Sequence, residues 1–172
     1  HRFRFDGIFE SILGMLPNKI KLEALIPHQG KMSLLDEVLS YDDLSITCSA
    51  SSHRSMDNPL RGPHGLHAIA GIEYAAQAAA VHGALRSSTK PQAKPLRVLG
   101  LVSQVQLHRR ALHDLPLLEI HATLIGEQLT GQMYAFKIFS EGLPVLSGRL
   151  GVFQYADVLE PTVLNPEHNL MS

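Results

Sequence analysis

Apolar residues recur along this chain in two rhythms. Between residues 5 and 16 they fall at Ile8, Phe9, Ile12, Leu13 and Leu16, a helical spacing that Pro17 ends, so a short amphipathic arm is expected. Residues 22–27 read as a further helical turn, and Pro27-His28-Gln29-Gly30-Lys31 as a loop. Residues 32–40 form a β-compatible apolar stretch with Asp36 and Glu37 inside it, and residues 45–51 alternate around Ile46 and Cys48 as a strand does. Residues 52–67 hold two prolines, two glycines and three histidines and are expected to be irregular.

The clearest element is residues 68–85. Its run Ala75-Ala76-Gln77-Ala78-Ala79-Ala80 has high helix propensity. Apart from Glu73 the segment is poor in charge up to Leu85, so the helix should be buried on most sides. Residues 87–95 read as a linker. Four strand-like segments follow, at 97–108, 116–127, 132–140 and 145–155, with hairpin turns expected at 127–131 and at Glu141-Gly142. The order is a short helix, two strands, an Ala-rich helix and a four-stranded meander. That predicts one α+β domain over 22–157, a curved antiparallel sheet around a long central helix. The arm, 1–21, precedes it, and a loose tail, 158–172, follows.

Composition narrows the function classes. Lys and Arg number 15 against 16 Asp and Glu, so no general attraction to nucleic acid or anionic membrane is expected. No apolar run is long enough to span a bilayer. The lone Cys48 fits a reducing compartment, and a cytoplasmic protein is expected. No nucleophile elbow, P-loop, dinucleotide fingerprint or zinc spacing occurs, and His64 with His67 are too few for a metal site.

Three segments carry a resemblance. Pro27-His28 with Leu34-Leu35-Asp36-Glu37-Val38 looks like the opening P-H…L-L-D-x-V of the 3-hydroxyacyl-acyl-carrier-protein dehydratases. Gly71-Ile72-Glu73-Tyr74-Ala75-Ala76-Gln77-Ala78 is similar to that family's helix pattern E-x-x-A-Q. The four-strand ending completes the likeness, which spans roughly residues 25–155. Within that family the chain most resembles a divergent branch of hotdog dehydratases associated with aryl-polyene-type acyl clusters.

The resemblance implies a hotdog fold and an assembly of at least two subunits, a homodimer or higher oligomer, with a hetero-oligomer with a paralogue as a further form. It also implies loss of water from a 3-hydroxyacyl thioester, in fatty-acid-like or polyene acyl biosynthesis. The substrate would be held on the phosphopantetheine of an acyl carrier protein or coenzyme A, with no metal or organic cofactor. The match to the pattern breaks at one position. Counting back from Glu73, Pro59 stands where the main family has the His of an H-F-P segment, and none of His53, His64 and His67 lies in that context. A non-catalytic subunit paired with an active dehydratase is therefore an alternative. An acyl thioesterase is another, since one fold hosts several chemistries.

Dehydration needs a base for the α-proton, an acid for the leaving hydroxyl and donors for the thioester oxygen. Glu73, a single carboxylate early in an apolar helix, is the leading acid–base residue, beside the plainer reading of a first-turn Glu stabilised by exposed N–H groups. His28, the one His within a recognised motif, and His67, just ahead of the helix, are the base candidates. A loop anchor and a solvent-facing cap are their respective bland alternatives. Gln77 shares the Glu73 face and would orient it or hold the loop; Tyr74 is expected to pack. Gly71 would admit a substrate chain, and the N–H groups of Ala68-Ile69-Ala70-Gly71 are the expected oxyanion donors. An apolar tunnel past the helix start would hold the acyl chain. His82 reads as a core His. His108, Arg109 and Arg110 form a basic cluster, either a carrier-docking patch or a solvated turn.

Overall fold

The computed structural model describes residues 34–87, 97–129 and 131–154. The expected arm, the turn at 22–27, the His28 loop, the linker's 88–95 portion and the tail lie outside the described residues. Six strands form one antiparallel sheet: β1 (Glu37–Tyr41), β2 (Ser45–Ala50), β3 (Arg97–Leu107), β4 (Leu118–Gln128), β5 (Gly131–Ser140) and β6 (Leu143–Gln154). One long helix, α1 (Gly71–Ser87), packs on them, preceded directly by a 3-10 turn, Ala68–Ala70. This is the hotdog arrangement.

Strand alternation sets which face is covered. Ile46, Cys48 and Ala50 oppose Ala122, Ile120 and Leu118 across β2 and β4, and all six are buried. Tyr134, Phe136 and Ile138 continue that face on β5, and Leu146, Leu150 and Val152 on β6. The intervening positions Glu119, Thr123 and Lys137 stay exposed. Burying each large apolar side chain contributes roughly 1.5–3 kcal/mol. The helix meets this face through small residues. A Cβ on Gly71 would stand 2.6 Å from Leu146 Cδ2 and 3.0 Å from Ile138 Cδ1, so its missing side chain serves close approach of helix to sheet. Ala75, Ala78 and Ala79 are buried with Tyr74, Val81 and Leu85, which accounts for a helix apolar on nearly every side.

Two expectations are corrected. The four last strands are not a sequential meander: the sheet order is β1-β2-β4-β5-β6-β3, so only β4, β5 and β6 run as neighbours. The cause lies in the connections. Short turns join β4 to β5 and β5 to β6, the second with positive φ at Glu141 (49°) and Gly142 (74°), as a type I′ hairpin requires. Residues 108–117 are long enough to carry the chain from β3, on the β6 edge, across to β4 beside β2. The first strand begins at Glu37, not at residue 32. Leu34 and Leu35 are fully buried off the ladder, and the Leu34 N–H donates to Gln77 Oε1 at 2.9 Å instead of to a strand. No helix among the described residues is long and apolar enough to cross a membrane.

Candidate functional site

Two irregular loops close over the start of the helix. The first, residues 51–67, is bound to the second, 108–117, by backbone hydrogen bonds: Ala68 N–H to Arg110 O (2.9 Å) and Leu112 N–H to Leu66 O (2.8 Å). Leu66 N–H also donates to His113 Nδ1 at 3.0 Å. Gly65 makes the junction possible. Its φ is +98°, and a Cβ there would overlap the His113 ring. Gly65→Ala is expected to cost about 2–4 kcal/mol, from left-handed backbone strain plus overpacking. Urea denaturation checks this, and an unchanged midpoint would show that the junction is soft.

Inside this platform Tyr74 does more than pack. Its hydroxyl lies 2.7 Å from Ser52 Oγ and accepts from Asn58 Nδ2 at 3.0 Å, while Ser52 Oγ donates to Leu34 O at 2.7 Å. Burial raises the Tyr74 pKa, so the phenol stays protonated. Asn58 also takes the Leu60 N–H on Oδ1. Sequence reasoning passed over Ser52 and Asn58. The signal was a buried Tyr, whose hydroxyl needs a partner. Asn58 stands immediately ahead of Pro59, so the loop turns an amide, not an imidazole, toward the helix. Gln77 is fully buried and holds Leu34, the residue that leads into β1.

Glu73 lies in the first turn of α1, half-buried, with no hydrogen-bond or ion-pair partner among the described residues. The helix dipole favours a carboxylate there. The expected oxyanion donors are corrected, because all four N–H groups are already engaged. Ala68 N–H donates to Arg110 O, Ile69 N–H to His67 Nδ1, Ala70 N–H to His67 O, and Gly71 N–H to Ala68 O and Ile69 O.

The histidines sort by environment. His67 is exposed and caps the 3-10 turn, accepting the Ile69 N–H on Nδ1 at 3.0 Å, which leaves the neutral ring's proton on Nε2. His64 is exposed at the tip of the Gly62–Gly65 turn. His53 is fully buried, its Nε2 donating to Leu115 O (2.8 Å) and Pro116 O (3.0 Å) and its Nδ1 enclosed without a partner; burial depresses its pKa. No described His bonds Glu73, and His28 lies outside the described residues. His82 is a core residue at the far end of the helix, between Tyr134 Oη and Asp42 O. Burial pushes the Cys48 thiol up to about 12, which removes it as a nucleophile. No group of three or more His, Cys, Asp or Glu able to hold a metal occurs among the described residues.

An antiparallel sheet wrapped on one apolar helix, with a lone carboxylate in that helix's first turn, defines a hotdog protein. The chain belongs to the ApeP-like dehydratase family: the profile described as ApeP dehydratase matches residues 20–162. The general class is therefore that of hydro-lyases. Among solved structures, it is similar to the dehydratase heterocomplex ApeI:P from Xenorhabdus doucetiae (24% identity, TM-score 0.70, covering 77% of this chain and 90% of that one). A mutant of thioesterase PA1618 from Pseudomonas aeruginosa shares the fold at 20% identity and TM-score 0.56, over 81% and 94% of the two chains. So does the HP0420 homologue from Helicobacter felis, at 14% identity and TM-score 0.57, over 84% and 96%. No curated protein matches the sequence.

Proposed function

We propose that this protein dehydrates 3-hydroxyacyl thioesters presented on phosphopantetheine, with Glu73 as the acid–base residue. The observation that carries the reading is the half-buried Glu73 carboxylate, without a partner among the described residues, on an otherwise apolar helix. A group with no structural bond to keep is free to exchange a proton with a substrate. Gln77 acts indirectly, by holding Leu34 and so the chain that follows the Pro27-His28 motif. No cofactor is required, since the α-proton passes to a base and the β-hydroxyl, protonated by an acid, leaves as water. The acyl chain would lie in an apolar tunnel past the helix start, and the protein would work in the cytoplasm as an oligomer.

A second reading has its own support. No described His lies within bonding distance of Glu73, and Asn58 stands where the loop meets the helix. The similar structure from Xenorhabdus doucetiae is a heterocomplex. A subunit that supplies Glu73 while a paralogue supplies the base, or all of the catalysis, fits those facts.

The test is hydration of a 2-enoyl thioester by the purified chain, followed as loss of conjugated absorbance, with carrier-linked and coenzyme A substrates. Turnover establishes the dehydratase, and free thiol release would replace it with a thioesterase. Inactivity alone, with activity restored by a paralogous subunit, establishes the second reading. The base is then sought by Ala substitution at His28, His67 and His64 in that order. His53→Ala is a poor probe, because it frees the Leu115 and Pro116 carbonyls and disturbs the platform.

A further inference from the structure

Arg61 sits on the first loop, three residues beyond Asn58, whose carbonyl accepts the Arg61 N–H at 3.1 Å. Its side chain is half-buried, and Nη1 is enclosed with no acceptor. The other two guanidinium nitrogens bond nothing among the described residues. An enclosed, unpaired guanidinium nitrogen is costly unless the same group gains elsewhere. Its surroundings sharpen the point. The two paired loops carry Arg54, Arg61, Arg109 and Arg110 against only Asp57 and Asp114, on a chain whose net charge is −1. Asp114 faces His113. The platform is thus a local excess of positive charge beside the start of the helix that carries Glu73.

We propose that Arg61 is the anchor for the phosphate of the pantetheine arm, its free edge taking two phosphate oxygens. The inference rests on the thioester reading above and deepens it. A guanidinium held on one side presents a planar fork that suits a phosphate better than a point charge would. The exposed Arg109 and Arg110 then draw the anion in from solution rather than bind it tightly. The phosphate is common to carrier-linked substrates and to coenzyme A, so the Arg61 contact does not separate them.

The test is calorimetric titration of the full-length protein with 4′-phosphopantetheine and with pantetheine, repeated for Arg61→Gln and Arg61→Lys. The unmodified protein should bind the phosphorylated arm more tightly. Arg61→Gln should weaken that binding roughly tenfold to a hundredfold, the worth of one charge-assisted contact, and leave pantetheine unchanged. Arg61→Lys, which keeps the charge and loses the fork, should fall between and serves as the folded control if Gln is not tolerated. Equal binding of the two arms by the unmodified protein would overturn the site. So would an unchanged phosphate preference in both variants, or a shift in oligomeric mass with affinity intact, which would assign Arg61 to a subunit contact. Phosphate preference in a protein that turns over no thioester would retain the site and remove the dehydratase reading. Turnover without phosphate preference would do the reverse.

Discussion

Glu73→Gln is expected to remove hydration of 2-enoyl thioesters by about a hundredfold or more while leaving the unfolding midpoint nearly unchanged. The two halves follow from different facts. Gln matches Glu in size but cannot give or take a proton at neutral pH. Glu73 makes no bond to another described residue, so the substitution breaks none. The stability change is limited to the favourable placement of a negative charge in the first turn, about 0.3–1 kcal/mol. The measurement pairs initial rates with urea denaturation of the same preparations, alone and with any paralogous subunit that restores activity. Full turnover in Glu73→Gln would refute the assignment. Loss of both activity and stability would make Glu73 a structural residue whose partner lies outside the described chain.

Much of the fold was legible because its main determinants are periodic. The Ala-rich run with one charge announced a central helix, and the helix occupies Gly71–Ser87 after its 3-10 start. Strand alternation located β2, β4, β5 and β6 to within a few residues. What periodicity does not encode is which strand lies beside which. β3 has as good a strand pattern as β4, and only the length of the connection at 108–117 hints that it goes to the other edge. Strand register likewise says nothing of Leu34, where a side-chain amide captures the backbone donor that a strand would have used.

The site was half legible. A carboxylate in an apolar helix is visible in sequence because it is out of place there. The partners of Tyr74 were not, since Ser52 and Asn58 are ordinary loop residues until the fold brings them to its hydroxyl. The oxyanion donors failed for a related reason. An N–H at a helix start is free only if nothing upstream curls back on it. His67 capping Ile69 and the 3-10 turn feeding Gly71 are local details that residue types alone did not disclose.

Acid should destabilise this protein through its buried histidines His82 and His53. His82 donates Nε2–H to Asp42 O at 2.8 Å and accepts the Tyr134 hydroxyl on Nδ1 at 2.8 Å, an arrangement made for the neutral ring. Burial depresses its pKa most, and Arg86 adds to this, while the Asp42 carbonyl and the Asp42 and Asp43 charges oppose. His53 is depressed by the same dominant cause. The ordinary value is 6.5, so below it the unfolded chain takes up protons that the folded chain refuses. Stability is fully present above about pH 6.5 and falls as pH drops toward the folded values, by up to about 1.4 kcal/mol per pH unit for each His. Asp42, whose pKa is lowered from 3.8, first by the Leu44 N–H, contributes only at more acid pH and does not blur that window. His82→Phe separates the terms. It keeps most of the ring volume but removes the two buried hydrogen bonds of His82, to the Asp42 carbonyl and from the Tyr134 hydroxyl, for a loss of about 1–3 kcal/mol at pH 7.5. Between pH 7.5 and pH 5.5, however, it should lose less stability than the unmodified protein, because one proton-refusing site is gone. Urea denaturation of both proteins at the two pH values decides it. Parallel losses would mean that His82 is protonated in the folded state and that its two hydrogen bonds do not select the neutral ring.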